Sequence, residues 1–326
     1  MTIASRGRRR ALAGMAVLLA RPRIAVAQPA RRIPLIGFLS TGGVDSLAQF
    51  RDAMRDLGYE EGRDITIERR STVDRGEGLA ALADELVRLR PDVIYATGPA
   101  AVRAARSATS VIPIVVLDLE TDPVAAGLVA SLARPGGNVT GLFLDQPLLA
   151  GKWLELVAQV LPGRKRLALL WEKAAGTAQL DAARASGKRL GFTLRVIDVD
   201  SADGMFAGLD AAAEGGAQAL VMLTSPMIST HSRRLAEWTT ARRMPAISPF
   251  RAFTDAGGLM SYGPDLVAFR RFSATYVDRI LKGARPGELP ILQPARFQLV
   301  VNKRTAQALG IAFPQALLSW VDEVIE

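Results

Sequence analysis

The sequence predicts an α/β protein built from two doubly wound lobes joined by hinge crossovers. Three observations carry this. Short apolar runs alternate with amphipathic helices through the first half of the chain, the pattern of a parallel sheet covered on both faces. The same element order restarts near residue 151. The tail then runs strand, helix, loop, strand, as expected of a chain that returns to the first lobe and re-enters the second.

The elements follow in order. Ile33–Ser40 is strand-like, and Leu47, Phe50, Met54 and Leu57 recur on one helical face closed by Gly58. Ile65 and Ile67 alternate with polar residues as a second strand. Leu79, Leu82, Leu86 and Leu89 mark a helix ended before Pro91. Val93–Tyr95, Ala100–Ala108 and Ile112–Leu117 read as strand, helix and strand. Val124–Ala133 is expected to be a fourth helix before the turn Pro135-Gly136-Gly137 and the strand Val139–Phe143. The second lobe begins with a helix over Gly151–Val160. Strands at Arg166–Trp171, Thr193–Val199, Ala219–Leu223 and Pro245–Ile247 then alternate with helices at Ala178–Leu190, Ala202–Ala213 and Ser229–Arg242. In the tail, a strand over Gly258–Tyr262 precedes the helix Leu266–Leu281, capped by Gly283. Pro286 and Pro290 mark a loop, and the strand Phe297–Val301 and helix Lys303–Leu309 follow. The expected division is residues 33–142 with 258–290 for one lobe and 143–257 with 291–326 for the other. Hinges are expected near Leu142–Asp145, Asp255–Gly258 and Leu289–Pro294.

Residues 1–27 carry the pattern of a signal peptide: Arg6, Arg8, Arg9 and Arg10, the uncharged stretch Ala11–Ala20, then Ala25-Val26-Ala27 before Gln28. The apolar stretch is about half of the roughly 20 residues that span a bilayer. Arg21 and Arg23 lie between it and the cleavage motif. Arg8-Arg9 matches the twin-arginine signal loosely, which leaves the export route open. A periplasmic protein cleaved near Ala27-Gln28 is expected. The leader also reshapes the charge. The chain has 41 Lys and Arg against 32 Asp and Glu, net +9. Six of the arginines and no acid lie in the leader, which leaves 35 basic residues against 32 acidic. No nucleic-acid partner is expected from so small an excess. The absence of cysteine excludes disulfides, thiol nucleophiles and a lipid anchor, and one histidine, His231, excludes a multi-histidine metal site. Neither a metal nor a cofactor is expected.

In open parallel sheets, ligands bind beyond the carboxyl ends of the strands. Those loops supply Ser40 and Thr41, Thr97 and Gly98, Asp118 and Asp122 in the first half. Trp171, Ser225, Phe250 and Tyr262 follow in the second. Hydroxyls and free N–H groups at helix starts suit a carboxylate, and the aromatic rings suit apolar or stacking walls. Each has a plainer reading. Ser, Thr and Asp here are also preferred helix caps. Trp171 suits a core equally well, and His231 suits a solvated surface. Asp118, Glu120 and Asp122 suit a cap, an exposed carboxylate and a turn residue. Enzyme signatures are scarce: no Gly-x-Gly-x-x-Gly follows the first strand, and neither a Walker A loop nor a Gly-x-Ser-x-Gly elbow occurs.

Several segments carry a family resemblance across essentially the whole chain after the leader. They include Asp56-Leu57-Gly58-Tyr59-Glu60-Glu61-Gly62-Arg63, the long run Gly127–Gly141, Gly151-Lys152-Trp153-Leu154-Glu155-Leu156, Gly257–Pro264 and Tyr276–Ala284. On these the chain resembles ABC-transporter substrate-binding proteins of the tryptophan/tyrosine-binding type, a branch of the type I periplasmic binding proteins. The resemblance implies two Rossmann-like lobes, a small solute in the cleft between them, a closed form read by a membrane permease, and no turnover. A monomer is expected. The loop Trp171–Gly176 departs from the Asn-Pro-containing loop common in relatives, so the resemblance leaves the solute open among amino acids and related carboxylates. An exported hydrolase or lyase using the Asp118–Asp122 carboxylates is the alternative. A sensor of the related repressor class would need a helix-turn-helix where the leader stands.

Overall fold

Alternate residues of the first strands face two different cores. The computed structural model describes residues 32–41, 44–72, 78–144, 146–293 and 296–326. The expected signal peptide lies outside them. Strands β1 (Leu35–Ser40), β2 (Thr66–Ser71), β3 (Val93–Thr97), β4 (Ile114–Asp118) and β5 (Val139–Phe143) form an all-parallel sheet in the order β2-β1-β3-β4-β5. On one face, Leu39, Ile94, Ala96, Ile114 and Val116 meet α2 (Leu79–Arg88) and α3 (Pro99–Ala108) through Leu82, Leu86 and Val102. On the other, Ile36, Phe38, Val93, Tyr95 and Val115 join the larger core with Phe50 and Met54 of α1 (Val44–Asp56). Both faces are buried, so these strands read as continuous apolar runs rather than as alternating ones. Phe38, Phe50 and Tyr95 form an aromatic cluster with ring centroids 4.6–5.8 Å apart. Each such pair adds about 0.5–1.5 kcal/mol beyond its area burial.

The second sheet has seven strands, in the order β12-β11-β10-β9-β8-β6-β7. They are β6 (Arg166–Glu172), β7 (Thr193–Val199), β8 (Ala219–Met222), β9 (Ala246–Ser248), β10 (Met260–Pro264), β11 (Phe297–Asn302) and β12 (Glu323–Ile325). Only the β10–β11 pairing is antiparallel. Its helices are α4 (Gln146–Val160), α5 (Ala178–Leu190), α6 (Ala202–Glu214), α7 (Pro226–Thr230), α8 (Ser232–Ala241) and α9 (Arg251–Asp255). The expected helix over Ser229–Arg242 is thus two. Ser225 starts a separate turn, its Oγ accepting from the Ile228 N–H at 2.9 Å. His231 separates that turn from α8, half-buried, with Nδ1 against the Met227 carbonyl at 2.9 Å.

Two expectations are corrected. Val124–Ala133 forms no helix. Asp122 caps the Val124 and Ala125 N–H groups, but Gly127 takes a left-handed conformation (φ +67°) and ends the turn. The chain then folds back, the Ala130 N–H donating to the Pro135 carbonyl. The strand within 258–262 does not return to the first lobe either. Met260 and Ser261 pair with β9, and β10 runs on against β11. Gly263 permits this close approach, because a β-carbon there would lie 1.9 Å from the Pro249 carbonyl oxygen.

The return comes one element later. Helix α10 (Leu266–Leu281) packs on α1, β3, β4 and β5, and Tyr59 Oη donates to Asp278 at 2.8 Å. The following segment runs beside β5, with Leu292 bridged to Leu142 and the Thr140 hydroxyl donating to the Leu289 carbonyl at 2.8 Å. Helices α11 (Lys303–Leu309) and α12 (Gln315–Leu318) then flank β11 and β12 in the second lobe. The chain therefore crosses between lobes around residues 144–146, 264–266 and 293–296. The middle crossing lies beyond the expected Asp255–Gly258. No helix among the described residues is long and apolar enough to cross a membrane.

Candidate functional site

Strand order 2-1-3-4-5 places a topological switch between β1 and β3, and ligands of doubly wound sheets lie beyond that point. The second sheet repeats this order as β7-β6-β8-β9-β10. The carboxyl ends of both sheets open on one cleft of about 420 Å3, within the size range of small-molecule sites. Thr41, Thr97, Gly98, Leu117, Leu119 and Glu120 come to it from the first lobe. Ser225, Pro226, Ser229, Thr230, Phe250 and Arg251 come from the second. Leu266 and Arg270 of α10 complete the wall nearest the middle crossing.

The lobes touch beside this cleft. Arg103 Nη2 of α3 donates to the Ala174 carbonyl, just after β6, at 3.1 Å. Gly98 has φ +84°, and a β-carbon on it would stand 2.9 Å from Pro226 Cγ. A glycine is required there both by the backbone and by the opposite lobe.

The structure brings together Thr41, Thr97, Gly98, Ser225 and Phe250 of the residues singled out from the sequence. Thr41 Oγ1 is buried with no hydrogen-bond partner among the described residues. Ser225 spends its oxygen on capping α7. Phe250 is buried and supplies an apolar wall.

Ser40, Asp118, Asp122, Trp171 and Tyr262 do not line the cleft. Ser40 is buried at the end of β1. Asp122 is a turn cap. Trp171 packs into the second-lobe core, its Nε1 donating to the Gly176 carbonyl at 2.8 Å. Tyr262 packs against Phe297 with ring centroids 5.8 Å apart and planes tilted by 36°, and its carbonyl accepts from Trp153 Nε1 at 2.7 Å. Both aromatic positions lie near the strand ends, but their rings pack on the core cluster instead of the cleft.

Asp118 sits directly behind the cleft. Its Oδ1 accepts from the Glu120 and Thr121 N–H groups at 2.9 and 3.0 Å, while its Oδ2 is buried without a partner among the described residues. Glu120 is 5% exposed, not the exposed carboxylate the spacing suggested, and its Oε2 accepts from the Leu119 N–H at 3.2 Å. Burial pushes the Asp118 carboxyl up, opposed by its hydrogen bonds and by Arg103. Burial pushes Glu120 well above the usual carboxylate range, reinforced by Asp118 and by Glu172 from the other lobe. No group of three or more His, Cys, Asp or Glu among the described residues could hold a metal ion.

The other charged groups of the cleft are occupied. Arg251 makes a bidentate pair with Glu323 of β12, both contacts 2.6 Å, and reaches Asp255 at 3.3 Å. Asp265 caps α10 through the Val267 and Ala268 N–H groups. Arg270 Nη1 donates to Gln49 of α1 at 2.6 Å. Gln49 and Arg270 were missed in the sequence because helices, not strand-end loops, bring them in. The Asp265 cap before the periodic run Leu266–Leu281 is a local signal that could have placed α10 at the cleft.

Comparisons with known proteins agree with this geometry. The family model for ABC transporter substrate binding proteins matches residues 32–325. A tyrosine-binding protein of Clostridioides difficile is 25% identical over 264 residues, 80% of this chain and 75% of its own. A Vibrio cholerae conserved domain protein superposes with a TM-score of 0.80 at 25% identity, covering 90% of this chain and all of its own. A Streptococcus pneumoniae ABC domain in complex with L-Trp superposes with a TM-score of 0.78 at 24% identity, covering 90% and 99%. Proteins of this family act outside the cytoplasm, carry a small-molecule solute for a membrane permease and are not enzymes, which sets aside the hydrolase alternative. With a cleft between two doubly wound lobes and a family match over nearly its whole length, the chain belongs to the ABC transporter substrate-binding proteins.

Proposed function

We propose that this protein is the periplasmic solute-binding component of an ABC importer and that it captures an amino acid or related carboxylate by hinge closure. One observation carries the reading: the cleft is built from the strand ends of both lobes at once. A solute that touches both lobes favours the closed form by its differential affinity for it. The hydroxyls of Thr41 and Thr97 beside the start of α3 suit a carboxylate. Phe250, Leu117, Leu119, Pro226 and Leu266 suit an apolar side chain. The tyrosine-binding relative supports an aromatic amino acid as the first candidate. Export with cleavage near Ala27-Gln28 and a monomeric state belong to the same reading.

Isothermal titration against the standard L-amino acids tests it, with the solute recovered afterwards. Stoichiometric binding of an unchanged solute is expected. Chemical consumption of the solute, or no binding by any amino acid or carboxylate, would sink it.

A further inference from the structure

Hydrogen-bond donors are concentrated at one stretch of the first-lobe wall of the cleft. Gln49 of α1 and Arg270 of α10 both line it and are partly buried. Arg270 Nη1 donates to Gln49 Oε1 at 2.6 Å and to the Leu266 carbonyl, one turn back on its own helix, at 3.4 Å. A guanidinium has five N–H donors and no acceptor. The amide must therefore turn its oxygen to Arg270, and Nε2 is the group that Gln49 can offer a solute. Nε2 brings two more donors and no acceptor. The pair thus presents N–H groups alone, held in place by a charge-assisted bond. Arg251, the other guanidinium of the cleft, is committed to Glu323 through both terminal nitrogens.

The pair also stands apart from the hydroxyls suited to a carboxylate. Thr97 and Gly98 lead into α3, which packs on one face of the first sheet through Ala101, Val102 and Ala105. Helices α1 and α10 pack on the other face through Phe50, Met54, Phe269 and Tyr276. A solute held at both places must lie across the strand ends and carry an acceptor group at each end. Leu117 and Leu119, at the end of β4, also line the cleft and suit the apolar body of such a solute.

We propose that Gln49 and Arg270 form a second subsite, which recognises a carboxylate at the far end of the solute. This rests on the solute-binding reading above and narrows it to acids with two carboxylates, one at Thr41, Thr97 and the start of α3 and the other here. A carboxylate offers acceptors only, which matches a pair that offers donors only. A phenol, which brings a donor of its own, matches it less well.

Titration calorimetry on the whole protein tests this with probes that differ only at the far end. One set is L-norleucine and L-α-aminoadipate, and another is L-phenylalanine, L-tyrosine and para-carboxy-L-phenylalanine. In any set that binds, the member with the far carboxylate should bind about 10- to 100-fold more tightly than the member without it, the worth of a hydrogen bond to a charged group. Tyrosine should gain only about 3- to 10-fold over phenylalanine. Gln49→Glu keeps an oxygen for Arg270 but replaces the Nε2 donors with a negative charge. It should remove most of the preference by weakening the member with the far carboxylate, whereas a general fault in folding would weaken all members alike. Arg270→Met should remove the preference as well. Equal or weaker binding of the far carboxylate by the unmodified protein, or a preference that survives Gln49→Glu, would overturn the proposal and leave solute capture intact. Failure of every probe to bind, the standard L-amino acids included, would overturn both.

Discussion

Gly98 at the end of β3 and Pro226 at the start of α7 meet across the cleft, so closely that a β-carbon on Gly98 would lie 2.9 Å from Pro226 Cγ. Gly98 also holds φ +84° and ψ 156°, a backbone region nearly reserved for glycine. Two costs are therefore combined at one position, and they can be separated. Gly98→Ala should destabilise the protein by about 1–3 kcal/mol through backbone strain. It should also weaken solute binding by holding the lobes apart. Adding Pro226→Ala should restore part of the affinity and none of the lost stability. Calorimetric affinities and thermal midpoints of the single and double variants check this. Recovery of both quantities together would mean that the contact alone matters.

The hydroxyls and the aromatics make opposite predictions. Thr41→Val and Thr97→Val remove oxygens that line the cleft and should each weaken binding about 5- to 10-fold, the range of one neutral hydrogen bond. Trp171→Phe and Tyr262→Phe alter rings that pack away from it and should leave affinity within about twofold, since no solute contact is lost. Titration of the four variants with one solute decides the matter. A large loss in either aromatic variant would move that ring back into the site.

Glu120 should leave a mark on stability against pH. Its carboxyl titrates higher folded than unfolded, so the folded state binds more protons between the two values. Stability from this group is present below the unfolded value, about pH 4.3, and falls as pH rises through the folded one. Glu120→Gln should therefore flatten the decline in thermal midpoint on the alkaline side of the carboxylate range. An unchanged slope in solute-free protein would show that the group is not strained.

The pair Arg251–Glu323 has the opposite sign. The guanidinium holds the Glu323 carboxyl below its ordinary value. Its stabilisation is present above about pH 4.3 and is lost as pH falls through the lowered folded value. Both side chains are nearly half exposed, so solvent screening limits the effect to under about 1 kcal/mol. Glu323→Gln should remove that small acid-side component, measured as thermal midpoint between acidic and neutral buffer. A difference that grows toward alkaline pH would contradict the assignment.

The lobes were legible because their signals are local. Continuous apolar runs mark β1 and β3 and 3.6-residue faces mark α1 and α2 directly, and the strand ends and the loops after them point to Thr41, Thr97, Ser225 and Phe250. What failed was decided by tertiary contacts. Nothing local tells whether the rings of Trp171 and Tyr262 turn to the cleft or to the core, and both pack on the core. Val124–Ala133 has helical spacing, but the backbone turns at Gly127 override it. The lobe of β10 could not be read because a strand's sequence does not name its neighbour. Its pairing with β9 is set by the whole sheet. Glu120 lay in plain view as part of an acidic run, and its distinction is burial beside Asp118, which spacing alone does not report.

The three crossings have a further consequence for how the molecule is made. Helix α10 covers the face of the first sheet carrying Tyr95, yet it starts 171 residues later in the chain, at Leu266. The second sheet needs β11 and β12 beyond it. A chain emerging from its N-terminal end thus completes neither lobe until most of the polypeptide is out. Maturation is all-or-none in time as well as in space, and a truncated product is left with bare apolar surface rather than a finished half. Neither lobe can be excised as one uninterrupted piece, so a single nick in any crossing leaves two fragments still wrapped around one another.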